Sequence, residues 1–245
     1  MYKTLNIPLE ASQLAIKNDL LSELKVFLSL KFQAGDGQIR SSEIDYSVLS
    51  ELSGFKDKRT IEKHINTLLD LNWIGKDDTW TFIRSFERIR SNLKATSRTA
   101  VEIRPQDIAT IHEFLLGAKI GHSARAKRYA RKKPGAKPKS KQLSGKAYKP
   151  SQISCSLIGE WFGYSPSTAS RVKQRAKAIG YLDYTHQSKE LDILQADLSA
   201  YMKSMGVDRE YIFFHKRKPH VRLTDRFIIG ENDLHQFAFK TRCEL

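Results

Sequence analysis

The sequence predicts an α+β fold, mostly helical, made of two copies of one unit in which three helices precede a β-hairpin. Three observations carry this. Two series of amphipathic helices are each broken by a glycine turn, residues that favour strands follow the last helix of each series, and matching positions lie 108 residues apart.

In the first copy, Leu20, Leu21, Leu24, Phe27 and Leu28 recur at three- and four-residue spacing between Asn18 and Phe32, the apolar stripe of a helix that Gly35-Asp36-Gly37 stops. A second helix is expected from about Ile44 to Leu52. It leads into Ser53-Gly54-Phe55, where glycine supplies the positive φ of a tight helix–helix turn. Asp57 is an N-cap for a third helix with Ile61, Ile65, Leu68 and Leu69 inward and Arg59, Thr60, Lys63, His64 and Asn66 outward. Trp73-Ile74 and Thr79 to Ile83 then read as strands around Gly75-Lys76-Asp77-Asp78. Three helices and a hairpin make a winged helix-turn-helix.

The second copy starts with a helix from Pro105 to about Ala130, weakened by Gly117 and Gly121. A helix from about Ser154 to Phe162 follows, burying Leu157, Ile158, Trp161 and Phe162. Gly163 turns the chain, and Ser165-Pro166 is an N-cap with proline at the first helical position. The third helix, Pro166 to Ile179, sets Ala169, Val172, Ala176 and Ile179 inward and Ser167, Thr168, Ser170, Arg171, Gln174, Arg175 and Lys177 outward. Tyr181-Leu182-Asp183-Tyr184 begins the wing. Leu71-Asn72-Trp73-Ile74 matches Ile179-Gly180-Tyr181-Leu182, Leu68 matches Ala176 and Ile61 matches Ala169, while the turn glycines Gly54 and Gly163 differ by 109. The expected domains are therefore 1–100 and 101–245, both winged helices, the second carrying a basic loop at about 131–152. In the tail, Leu191 to Met205 reads as a helix, and strands at Tyr211 to Phe214 and Val221 to Leu223 flank a basic tip with Lys216, Arg217 and Lys218, a candidate second wing on phosphate.

The 42 Lys and Arg of the 245 residues outnumber 27 Asp and Glu, for a net charge of +15. Between residues 111 and 180 sixteen cations face only Glu113 and Glu160, whereas the rest of the chain holds 26 cations and 25 carboxylates. A localised excess of this kind favours a polyanionic partner. Its centre, Arg131-Lys132-Lys133-Pro134-Gly135-Ala136-Lys137-Pro138-Lys139-Ser140-Lys141, cannot bury apolar surface and reads as a loop. It is either a solvated tether or an arm that meets DNA phosphates through Arg131, Lys132, Lys133, Lys137 and Lys139.

No apolar run approaches the ~18 residues of a membrane span, and Met1 to Asn6 lack the apolar stretch of a signal peptide, so a cytoplasmic protein with no membrane partner is expected. Cys155 and Cys243 have no Cys or His at ligand spacing, which suggests neither metal site nor disulfide framework. Walker loop, nucleotide-binding glycine fingerprint and nucleophile elbow are all missing from the sequence, so the expectation is a binding protein without cofactor, not an enzyme.

Both third helices have the required amphipathicity for the major groove, and the second is better equipped. Arg171 can pair bidentately with guanine and Gln174 with adenine, while Ser167 and Thr168 can hold a phosphate at the helix N-terminus. Glu62 on the first makes it a weaker reader or a dimerisation element. On Asp57 to Ile74 and Ser165 to Tyr184, together with the charged insertion, the chain resembles the tandem winged-helix replication initiators of plasmids and some phages. That resemblance implies origin binding, one unit supporting a homodimer while the other gives most base contacts, and replication partners such as a helicase. The alternatives are a transcriptional regulator, an RNA-binding protein stacking bases on Tyr129 and Tyr148, and a nuclease or recombinase whose catalytic residues converge from distant positions.

Overall fold

The computed structural model describes residues 4–34, 36–130, 151–191, 197–205, 212–215, 218–228 and 239–240. Strand β1 (Leu5–Pro8) leads directly into helix α1 (Leu9–Lys17), two elements that the hydrophobic spacing did not announce. Asp19, at φ 59°, then reverses the chain into α2 (Leu21–Gln33), so the helix expected from Asn18 starts three residues later. The first unit continues through β2 (Gln38–Arg40), α3 (Tyr46–Ser53), α4 (Lys58–Asp70), β3 (Ile74–Lys76), β4 (Trp80–Ile83) and α5 (Phe86–Asn92). Its helix starts follow the capping rule. The Asp45 carboxylate accepts the backbone N–H groups of Ser47 and Val48, and Asp57 accepts those of Arg59 and Thr60, each cap contributing about 1 kcal/mol. Phe27 meets Trp73 edge-to-face at 5.7 Å and Phe86 at 5.8 Å, which locks α2 against the hairpin and α5.

The second unit follows β5 (Ala100–Ile103), with a 3-10 turn at Pro105–Asp107 before α6 (Ile111–Ala130). The helix expected from Pro105 is therefore divided, but it runs unbroken through Gly117 and Gly121. Next come β6 (Ser151–Gln152), α7 (Cys155–Phe162), α8 (Pro166–Ile179) and β7 (Asp183–Glu190), then α9 (Leu198–Met205), β8 (Ile212–His215), β9 (Lys218–Ile228) and β10 (Phe239–Lys240). Ser154 and Ser165 cap α7 and α8, accepting from the N–H of Leu157 and Thr168. Of the tail helix expected from Leu191, residues 198–205 are helical and 192–196 lie outside the described residues.

The two units share more than helix order. Gly54 and Gly163 both hold left-handed backbone, φ 78° and 77°, after α3 and α7. Asn72 and Gly180 do so after α4 and α8, with the backbone N–H of Trp73 returning to the Leu68 carbonyl and that of Tyr181 to Ala176, one C-terminal motif repeated 108 residues on. Sheet order matches too: β2-β4-β3 in the first and β6-β9-β7 in the second, all antiparallel. They differ in the hairpin. A tight turn joins β3 to β4, its Asp77 carboxylate accepting from the N–H of Thr79 and Trp80, whereas α9 and β8 intervene between β7 and β9.

The halves interlock. β1 pairs antiparallel with β5, Leu5 opposite Ile103 and Pro8 opposite Ala100, and β10 lies on the other side of β5. α1 packs against α6 and α7, and so joins the second unit although it precedes the first. One cluster of buried apolar side chains runs from Ile7 through Phe27, Leu68 and Trp73 to Leu115, Phe162 and Val172. The fold is α+β, dominated by helices with small sheets. The boundary expected at residue 100 falls on the first residue of β5, the strand that β1 joins.

Candidate nucleic-acid interface

α8 is built to leave one face unoccupied by the core. Ala169 and Ala176 are 0% exposed and Val172 nearly so, and their small size lets the helix lie close on α6 and α7. Opposite them, Ser167, Arg171, Gln174 and Arg175 are exposed, with Thr168 and Ser170 half-buried beside them. At 100° per residue, Ser167, Arg171, Gln174 and Ala178 form a single stripe. The capping hydroxyl of Ser165 also contacts those of Ser167 at 2.9 Å and Thr168 at 3.0 Å, and Arg171 donates from Nη2 to Thr168 Oγ1 at 3.3 Å. The first turn is thus a hydroxyl-rich end with a guanidinium laid across it.

The structure corrects one expectation for α8 and places one residue that the spacing left unassigned. The spacing predicts Ile179 in the core, yet it is 44% exposed, because Gly180 turns the chain away at the end of the helix. Lys173, unassigned by the spacing, is 2% exposed, its ammonium 4.6 Å from the Tyr184 ring centroid and 3.7 Å from Cys155 Sγ. A long stem under a cation–π contact substitutes for an apolar residue there.

Arg175 and Lys177 are exposed but already engaged. Arg175 Nε lies 3.0 Å from Glu113 Oε1 on α6, and Lys177 Nζ reaches Asp183 Oδ1 at 2.6 Å and the Tyr184 carbonyl at 2.8 Å, tying α8 to the first residues of β7. Around Glu113, Lys25 of α2 donates to the Ala109 carbonyl at 2.6 Å, and His112 meets the Tyr164 hydroxyl. Burial, then the charges of Arg175 and Lys25, push the His112 imidazole down to about 4, so it is neutral at pH 7. Burial also lowers Lys25, partly offset by Glu113. Tyr181 donates to Asp107 at 2.7 Å and pairs with Thr110 at 2.9 Å; burial raises its hydroxyl well above the usual value. The sequence signal for this cluster was Glu113 itself, one of two carboxylates in a stretch of sixteen cations.

α4 presents Arg59, Lys63 and Asn66 to solvent, with Thr60 half-buried at its capped end. Its charge is mixed, since Lys58 pairs with Glu62 at 3.7 Å and Asp70 is exposed. His64, expected to face outward, instead turns in. Its side chain is 16% exposed, stacks on Phe55 and sets Nδ1 2.9 Å from Glu23 Oε1 on α2, since an imidazole gains more from a ring and a buried carboxylate than from water.

Elsewhere, the strands expected around the basic tip form β8 and β9, paired antiparallel with His215 opposite Lys218. Lys218 is exposed and pairs with Glu190. Lys216 and Arg217 lie outside the described residues, as do Arg131, Lys132, Lys133, Lys137 and Lys139. Among the described residues no helix is long and apolar enough to cross a membrane.

No family model, curated protein or solved structure matches the chain.

Proposed function

We propose that this chain is a sequence-specific double-stranded DNA-binding protein made of two winged helices, with α8 as its principal recognition helix. The observation that carries the reading is the outer face of α8: Ser167, Arg171, Gln174 and Arg175 exposed, no carboxylate anywhere on the helix, and a hydroxyl-capped N-terminus. A helix of this kind brings donors to base edges and a favourable dipole to a phosphate. The sheet order and helix ends shared by both units, and the concentration of charge between residues 111 and 180, support it. The role we assign is replication initiation at repeated origin sites, on the resemblance to plasmid and phage initiators; DNA is bound, not cut.

The test is selection of duplexes from a randomised pool, followed by titration of the enriched and scrambled sequences over a range of salt. Enrichment of one motif, with affinity falling steeply in salt, is expected. Replacing Lys132, Lys133, Lys137 and Lys139 with alanine lowers the log–log slope by up to about 0.9 for each phosphate that is no longer neutralised. Footprints on an array of repeats support initiation, whereas a single palindrome at a promoter makes the protein a transcriptional regulator. Preference for single-stranded RNA, or metal-dependent cleavage of the duplex, overturns the reading.

A further inference from the structure

Glu113 is 2% exposed on α6, in a stretch whose charge is otherwise almost wholly positive. An ionised carboxylate in such a place is costly unless a cation stays beside it. Its Oε1 makes no aligned hydrogen bond; the ion pair with Arg175 Nε, at 3.0 Å, is what meets it. Among the described residues a second cation nearby, Lys25, belongs to α2 and donates to the Ala109 carbonyl. His112, the adjacent residue, is turned to the Tyr164 hydroxyl. Arg175 is therefore held from below, yet its side chain is 69% exposed. Since Nε is the atom nearest the carboxylate, the two Nη groups form the outer end of the guanidinium.

We infer that Glu113 is a positioning residue for DNA binding: it holds Arg175 by Nε so that the Nη fork stands ready for one phosphate of the duplex. This rests on the reading of α8 as a recognition helix. A free arginine on a helix surface must lose rotamer freedom to clamp a phosphate. One anchored by a buried carboxylate has given up much of that freedom on folding, and its planar fork then meets the phosphate oxygens in fixed geometry. Lysine is a poor substitute here, because its ammonium is a point charge that can touch both anions but has no planar fork to offer a phosphate two parallel donors while a separate N–H faces Glu113. The Glu113 charge also restrains Arg175 from acting as a long-range attractor, so the contact is made at short range, when α8 is seated.

The experiment measures binding of a random-sequence 30-base-pair duplex at one fixed salt concentration. Arg175→Ala is expected to weaken binding about tenfold, in the range of one charge-assisted hydrogen bond, and Arg175→Lys to weaken it equally, although the charge is kept. In a Glu113→Gln background Arg175→Lys should change affinity less than about twofold, because the anchor is already gone and lysine keeps the charge that remains. Because Glu113→Gln alters a buried site, its melting temperature is compared first; should that variant not fold, the Arg175→Lys and Arg175→Ala pair, at an exposed position, decides alone. Wild-type affinity in Arg175→Lys, or equal losses in both backgrounds, overturns the positioning role and leaves Arg175 a diffuse charge. If wild-type protein shows no salt-dependent duplex binding at all, it is the DNA reading that fails, and the inference with it.

Discussion

α4 and α8 stand at the same place in their units and differ where it matters for an anionic partner. With the offset of 108, Thr60 aligns with Thr168, Lys63 with Arg171 and Asn66 with Gln174, so the polar framework is kept. Glu62 aligns with Ser170, Thr67 with Arg175 and Asp70 with Ala178, and each of these differences makes α8 more positive. On the inner face the trend is in volume: Ile61 and Leu68 of α4 become Ala169 and Ala176, all four 0% exposed. The first unit fills its core with large side chains and leaves a mixed-charge surface. The second packs its helix close and supplements the small core with polar anchors, Arg175 to Glu113, Lys177 to Asp183 and Tyr181 to Asp107. The outer face of a helix can change its charge without disturbing the register that folds it, because the inner face alone packs against the core.

The largest effect should come from the core. Leu68→Ala is expected to lower the unfolding free energy by about 2–5 kcal/mol through the cavity it leaves. Ala176→Gly, at the matching position, should cost only about 1 kcal/mol, mostly helix propensity. Denaturant titration of both variants checks this; similar losses would mean that the units do not differ in how they are packed.

An intermediate effect concerns pH, and it belongs to the second unit. The folded His112 titrates at about 4 against an ordinary 6.5, so the unfolded chain binds the additional proton between those values. The contribution is complete above about pH 6.5 and is lost as pH falls toward 4, on the order of 2–3 kcal/mol. Unfolding curves of wild type and His112→Gln between about pH 7 and pH 4.5 should converge toward the acid end. A constant gap across that range would show that His112 does not titrate as its burial requires.

The smallest changes should discriminate the two outer faces. Arg171→Ala and Gln174→Ala are each expected to cost about 1–3 kcal/mol on a selected duplex and little on a scrambled one. Lys63→Ala and Asn66→Ala, at the aligned positions, should cost less than about 0.5 kcal/mol on either, the range of ordinary surface substitutions. Titration at one salt concentration, with melting temperatures matched, reads the contrast. If the effects were reversed, α4 would be the reader and α8 a phosphate clamp.

By itself the sequence determined what is local. The N-caps Asp57 and Ser165, the turn glycines Gly54 and Gly163, the hairpin at Asp77 and the stripes of α3, α4, α7 and α8 are each set by residues within a few positions of one another, where backbone sterics, capping and periodicity suffice. Tertiary structure decided what depends on distant partners. β1 and β5 pair across more than ninety residues, and nothing near Leu5 announces its partner. Periodicity marks the direction of an inner face but not how far the neighbouring elements extend over it. Hence Ile179 lies beyond the cover of the core while Lys173 lies beneath Tyr184. His64 turned inward because α2 brings Glu23 to it and Phe55 lies against its ring, and Arg175 found a buried carboxylate only because α6 packs against α8. A charge's surroundings are assembled by folding, and so the residues that equip α8 were legible in the sequence while the group that holds one of them in place was not.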